Sequence, residues 1–127
     1  MNKKLLVFSL FLTLMTIHSS AYALALSKIS LNSSLNQPLD ATIEFASAST
    51  VELDSLHTSV SSLTGQISGV YHWPHLKVEL IRSEQGPSYL KITSRDVVRE
   101  PIIQFLLELD WVNGQIKREY SLLINPQ

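Results

Sequence analysis

The stretch IQFLLELDWVNGQIKREYSLLI, residues 103–124, decides the fold. Ile103, Phe105, Leu107, Leu109 and Trp111 alternate with Gln104, Leu106, Glu108 and Asp110. A period of two puts the first set on one face of a strand and the second on the other. Asn113-Gly114 follows, the dipeptide favoured in a two-residue type I′ turn, where both central residues need positive φ. With Asn113-Gly114 as the loop, Val112 faces Gln115 and every later pair follows by counting. Trp111 then meets Ile116, Leu107 meets Tyr120, Phe105 meets Leu122 and Ile103 meets Ile124, with only Leu109–Arg118 mixed. The opposite face pairs Asp110 with Lys117, an attractive cross-strand pair, and Glu108 with Glu119, a repulsive one. A slip of one residue would send the apolar set into water, so the phase of this hairpin is strongly specified.

Upstream, the same period recurs in shorter runs. Ile29 and Leu31 alternate with Ser30 and Asn32, and Asn36-Gln37-Pro38 turns the chain. Leu39, Ala41, Ile43 and Phe45 alternate with Asp40, Thr42 and Glu44. Residues 47–54 read as a loop or one helical turn, with Ser49 or Thr50 as the cap of a turn carrying Glu52. Residues 56–63 form a third strand, weaker because its polar positions are mostly Ser and Thr. Residues 64–74, with two Gly and one Pro, read as a loop. Leu76, Val78 and Leu80 share one face of a strand over 75–82, residues 83–87 turn, and a strand over 89–93 follows. About seven short strands with no helix longer than a turn predict an all-β, antiparallel β-sandwich, immunoglobulin-like, ending in a long hairpin. There is no Cys…Trp…Cys spacing, so the strand order stays open.

The first 23 residues bear on location. Lys3 and Lys4 precede an apolar run from Leu5 to Ile17, then polar His18-Ser19-Ser20, then Ala21-Tyr22-Ala23. A positive start, a short apolar core and small residues at −3 and −1 make a secretory signal peptide, with Ala21 and Ala23 read by the peptidase. The run is about 13 residues, against roughly 20 for a bilayer span. Cleavage after Ala25 competes with cleavage after Ala23, and an uncleaved anchor running on to Leu26 is the alternative. The expected organisation is a signal peptide over 1–23 and one β-sandwich domain over 24–127, exported to the periplasm with no stable membrane span after cleavage. Cytoplasmic chemistry dependent on ATP, NAD or nucleic acid is therefore not expected.

Without Lys3 and Lys4, eight Lys and Arg face eleven Asp and Glu, a formal charge of −3. No basic block is available to follow a phosphate backbone, so no nucleic acid partner is expected. There are no cysteines. That excludes a disulfide framework, a thiolate metal site, a Cys nucleophile and a lipid-modified amino-terminal Cys.

Several blocks, in order, resemble one family. ISLNSSLNQPLDATIEF (29–45), ELDSL (52–56), LKITS (90–94), VREPIIQFLLELDW (98–111) and GQIKREYSLLINP (114–126) are similar to the amino-terminal domain of FimV-type proteins. Two departures stand out: a shorter segment between Leu63 and Leu76, and Ile124-Asn125-Pro126 in place of a Leu-Asp-Pro ending. The resemblance implies a periplasmic module tied to type IV pilus assembly, twitching motility or polar organisation. It also implies large proteins carrying a peptidoglycan-binding LysM module, a membrane span and a long acidic cytoplasmic part. These 127 residues contain none of those segments, so peptidoglycan binding and anchoring are not supported by this chain. Only the sandwich's own role, protein interaction, carries over.

Candidate chemistry is sparse. His72-Trp73-Pro74-His75 puts two imidazoles three apart, but zinc needs a third ligand from His57 or an acid such as Glu79. A loop whose Trp73 packs under the sandwich edge is the simpler reading. A Ser-His-Asp hydrolase would draw on His57, His72 or His75, yet no nucleophile elbow appears. Glu108 and Glu119 on an exposed hairpin are solvated charge rather than a glycosidase pair. No catalytic group, cofactor or metal site is expected.

The candidate partner surface is Asn36 and Gln37 in the first turn, Arg99 and Glu100 before the long strand, and Arg118 and Glu119 beside Tyr120. Arg and Tyr are enriched at interfaces. For each segment the plain reading is a turn, a strand start, or a core tyrosine with charged neighbours. The expected function is non-enzymatic interaction with a protein of the bacterial envelope, the pilus assembly machinery being the implied partner. A chaperone- or subunit-like sandwich that adds a strand to a client is the alternative. It requires an unpaired apolar edge. A small periplasmic hydrolase or metal-binding protein comes third.

Overall fold

A computed structural model describes Lys3 and residues 24–63 and 75–126. The signal-peptide stretch, with Ala21 and Ala23, lies outside the described residues, as does the loop carrying His72, Trp73 and Pro74.

Among the described residues from Leu24 onward, seven strands and one short helix follow in order: β1 (Ala25–Leu31), β2 (Pro38–Ser47), α1 (Thr50–Asp54), β3 (His57–Ser62), β4 (Leu76–Ile81), β5 (Tyr89–Val97), β6 (Ile102–Trp111) and β7 (Gly114–Leu123). They form two antiparallel sheets, β1-β2-β5-β4 and β3-β6-β7. With strands lettered in chain order, the sheets are ABED and CFG, the arrangement of a constant-type immunoglobulin domain. The expected β-sandwich is therefore present, and its strand order is now fixed.

The core fills the space between the sheets. Ala41 and Ile43 on β2, Leu90 and Ile92 on β5, and Phe105, Leu107 and Leu109 on β6 are fully shielded from solvent. Alternation in β2 and β6 thus assigned the buried face correctly. Lacking a disulfide, the sandwich is held by this apolar layer, at roughly 25 cal/mol for each Å² removed from water.

Pairing in the hairpin differs from the expected register by two residues. Trp111 pairs with Gly114, Leu109 with Ile116, Leu107 with Arg118, Phe105 with Tyr120 and Ile103 with Leu122. The turn is therefore Val112-Asn113, not Asn113-Gly114. Neither turn residue has positive φ; Asn36, at 67°, is the non-glycine described residue that does. Three contacts favour this register. The Trp111 indole lies over Gly114, where a Cβ would come within 2.7 Å of Cζ2. The Val112 N–H donates to Ser55 Oγ at 3.1 Å, tethering the turn to the end of α1. Glu108 now faces Lys117, and Glu119 faces Leu106, so the Glu108–Glu119 repulsion is removed. A shift of two leaves every side chain on its expected face.

Two irregularities shape the first sheet. Between Pro38↔Val97 and Asp40↔Thr93 the register shifts, and the buried Ser94 hydroxyl fills the gap. It accepts the Leu39 N–H at 2.7 Å and donates to the Asp96 carbonyl at 2.6 Å. β1 is bulged between Leu26 and Ile29. The helix carries the anticipated capping box: Ser49 Oγ accepts from the Glu52 N–H, and Glu52 Oε1 accepts from the Ser49 N–H at 2.9 Å.

Candidate functional site

Three chain segments are lashed together at one end of the sandwich. The Asn36 N–H donates to the Val98 carbonyl at 2.7 Å, and the Val98 N–H returns to the Gln37 carbonyl at 2.9 Å. The Leu35 N–H donates to the Asn125 carbonyl at 2.9 Å, and the Ile124 N–H to the Pro101 carbonyl at 2.7 Å. Gln37 Oε1 accepts the Ser34 N–H at 3.0 Å, closing the turn on itself. The left-handed backbone at Asn36 suits its residue type, since Asn tolerates that conformation better than most. Asn36, Gln37 and Arg99 are exposed and Glu100 half-buried, on a backbone fixed by these bonds. The structure thus brings four of the six candidate residues to one end.

Arg118 and Glu119 do not join them. They stand in the middle of β7, opposite Leu107 and Leu106, and as neighbours in a strand they address opposite faces. Arg118 belongs to the inward-facing row yet is exposed at the open side, whereas Glu119 faces outward. Tyr120 is half-buried and stacked on Phe105, with ring centroids 5.3 Å apart. The Arg118-Glu119-Tyr120 run is therefore not one surface patch; a tyrosine at the core's margin separates two unrelated charges.

Next to the lashed end, Ile102 and Leu123 pair directly on the outer face of the second sheet and are 50% and 68% exposed. Sequence reading passed over both because alternation was used to find the buried row, and these are its outward neighbours. Side by side they make a small apolar patch on this face.

Among the described residues there are two imidazoles, His57 and His75. His57 begins β3 opposite Asp110, and His75, just before β4, is exposed. Among the described residues no group of three or more His, Cys, Asp or Glu side chains could hold a metal ion. Glu79 is exposed on β4. A concavity at the opposite end, between α1 and residues 82–88, is lined by Phe45, Leu53 and Gly86 and rimmed by Arg82, which pairs with Asp54. That ion pair is exposed on both sides, so its contribution to stability is small.

The four sheet edges bear on strand addition. β1 is bulged and carries Lys28, β4 exposes Lys77 and Glu79, and β7 exposes Lys117, Arg118 and Glu119. β3 is mostly Ser and Thr with His57. Bulges and charges are devices that discourage edge pairing, so the apolar edge that strand addition needs is missing.

This strand order and these sequence blocks can be set against known proteins. Residues 24–127 match the FimV N-terminal domain, an Ig-like domain. The chain belongs to the FimV N-terminal domain family. It is also similar to the motility hub protein FimV of Pseudomonas aeruginosa strain PAO1, with 34% identity over 110 residues, and equally to that of strain UCBPP-PA14. Each alignment covers 84% of this chain and 12% of the relative. The chain thus spans about an eighth of the curated relatives' length. Among the described residues no helix is long and apolar enough to cross a membrane.

Proposed function

We propose that this FimV-type domain is a non-enzymatic, periplasmic protein-interaction module serving type IV pilus assembly, twitching motility or envelope organisation. The observation that carries the reading is the match across the whole sandwich, residues 24–127, to a domain whose relatives are named motility hub proteins. The lashed end supports it. Asn36, Gln37, Arg99 and Glu100 form a polar surface on rigid backbone beside the apolar Ile102–Leu123 pair, the mix of groups that protein interfaces use.

Export completes the proposal. Residues 1–23 act as a signal peptide, and the burial of Leu24 in the core supports cleavage after Ala23. The proposed partner is an envelope protein.

Deletion of the gene in its own bacterium, with twitching zones and pull-down from periplasmic extract as readouts, tests the reading. Reduced twitching and a reproducible envelope partner are expected. Unchanged twitching together with no reproducible partner would sink it.

A further inference from the structure

The two sheets leave one side of the sandwich open, between edge strand β1 and edge strand β7. A groove runs there, lined by Leu26, Ser27, Lys28 and Ile29 from β1 and by Arg118 and Tyr120 from β7. Its walls are mainly apolar, and a cation stands on each bank. Lys28 and Arg118 are both exposed, and neither is in an ion pair among the described residues. The Tyr120 hydroxyl is buried without a hydrogen-bond partner, although its ring is stacked on Phe105. A buried polar atom left unsatisfied costs free energy comparable to a lost hydrogen bond. An apolar groove flanked by two unpaired cations suits an occupant with apolar side chains and a carboxylate.

We propose that the β1–β7 groove docks an extended segment of an envelope protein, with apolar side chains against Leu26 and Ile29 and an Asp or Glu carboxylate between Lys28 and Arg118. The proposal deepens the interaction-module reading and rests on it. Charge complementarity names the occupant. Two cations on opposite banks attract a carboxylate and repel a basic segment, which supplies selectivity as well as attraction. Continuous backbone pairing along β1 is barred by its bulge between Leu26 and Ile29, so side chains hold the segment. A competing account makes Arg118 an inward-pointing charge that guards the β7 edge against self-association. Under that account its removal creates dimers and changes no partner.

Site-directed photocrosslinking on the full chain in its native bacterium separates these outcomes. p-Benzoylphenylalanine is placed at Ser27 in the groove, and as references at Gln37, Glu84 and Glu119. The expected result is a partner adduct at Ser27 whose crosslinked peptide, read by mass spectrometry, holds apolar residues and an Asp or Glu beside the attachment point. Arg118→Glu should lower adduct yield at least about tenfold with the melting temperature unchanged, as suits an exposed side chain. The groove proposal falls if the Ser27 adduct is indifferent to Arg118→Glu, if its peptide lacks an acid, or if it is a dimer of this chain. Adducts at the reference positions alone overturn the groove and leave the interaction module standing. No adduct at any of the four overturns both.

Discussion

The Trp111 indole lies on Gly114, its directly paired residue across the hairpin, closely enough that a Cβ at position 114 would sit 2.7 Å from Cζ2 and 3.0 Å from Cε2. The glycine is therefore required by what covers it rather than by a positive φ. An aromatic ring spanning a cross-strand glycine stabilises pairing at a position that is otherwise weak. Gly114→Ala must displace a ring packed against the core, so a cost of about 1–3 kcal/mol is expected. Chemical denaturation measures it. In a Trp111→Leu background the same change should cost clearly less, because the two residues share one contact. Additive costs in the double variant would show that the ring does not select the register.

Ser94 performs a backbone's task with a side chain. The Leu39 N–H is buried, and the register shift beside it leaves Ser94 Oγ as its acceptor. Ser94→Ala strands that donor, and about 1–3 kcal/mol of stability should be lost. Ser94→Thr keeps the hydroxyl and should recover much of it. Equal loss in both variants would assign the effect to packing instead of the hydrogen bond.

These two sites mark the boundary of what the chain discloses locally. Alternation from Ile103 to Trp111 fixes which side chains are buried, because a strand has only two faces. It says nothing about a shift of two, which preserves every face, so Glu108 and Lys117 became partners unannounced. The Asn113-Gly114 signal was sound as a mark of a turn nearby and wrong about its centre. Val112's bond to Ser55 and the indole over Gly114 are tertiary, and they outweighed local turn preference. The ABED and CFG order depends on pairings such as Pro38↔Val97, far apart in sequence. Ser49 and Glu52 were legible because a capping box is complete within four residues. The candidate surface was half legible: Asn36 and Gln37 read as a turn, but only Val98's bonds bring Arg99 beside them. Lys28, a lone charge in the apolar stretch 24–31, was the available hint of the groove.

Asn36 separates shape from chemistry at the lashed end. Its φ of 67° is strained for residues with a Cβ and free for glycine. Asn36→Gly should leave stability within about 0.5 kcal/mol, whereas Asn36→Ala should cost about 1 kcal/mol. Thermal melts of the two variants check the order. Because glycine removes the side chain while the Asn36 N–H to Val98 bond survives, Asn36→Gly is the clean variant for partner binding. Weaker pull-down with an unchanged melt would place the Asn36 side chain in the interface.

Leu24 links processing to stability. It is 4% exposed and packs into the same cluster as Phe45, Leu53 and Leu109. Cleavage after Ala23 leaves it as the first residue of the mature chain, seated in the core. Cleavage after Ala25 would delete it and remove Ala25 from its place opposite Ser47 on β2. Burying a leucine side chain is worth about 1.5–3 kcal/mol, so the shorter product should be less stable by about that amount. Intact-mass measurement of the exported protein should therefore give a chain beginning at Leu24. A protein prepared to begin at Leu26 should unfold at lower denaturant with a similar slope. Leu24→Ser in the longer form should reproduce most of the deficit, because it removes the apolar contact and keeps the strand. If the Leu26 form were equally stable, Leu24 would add nothing to the core, and the physical ground for preferring the Ala23 site would be gone.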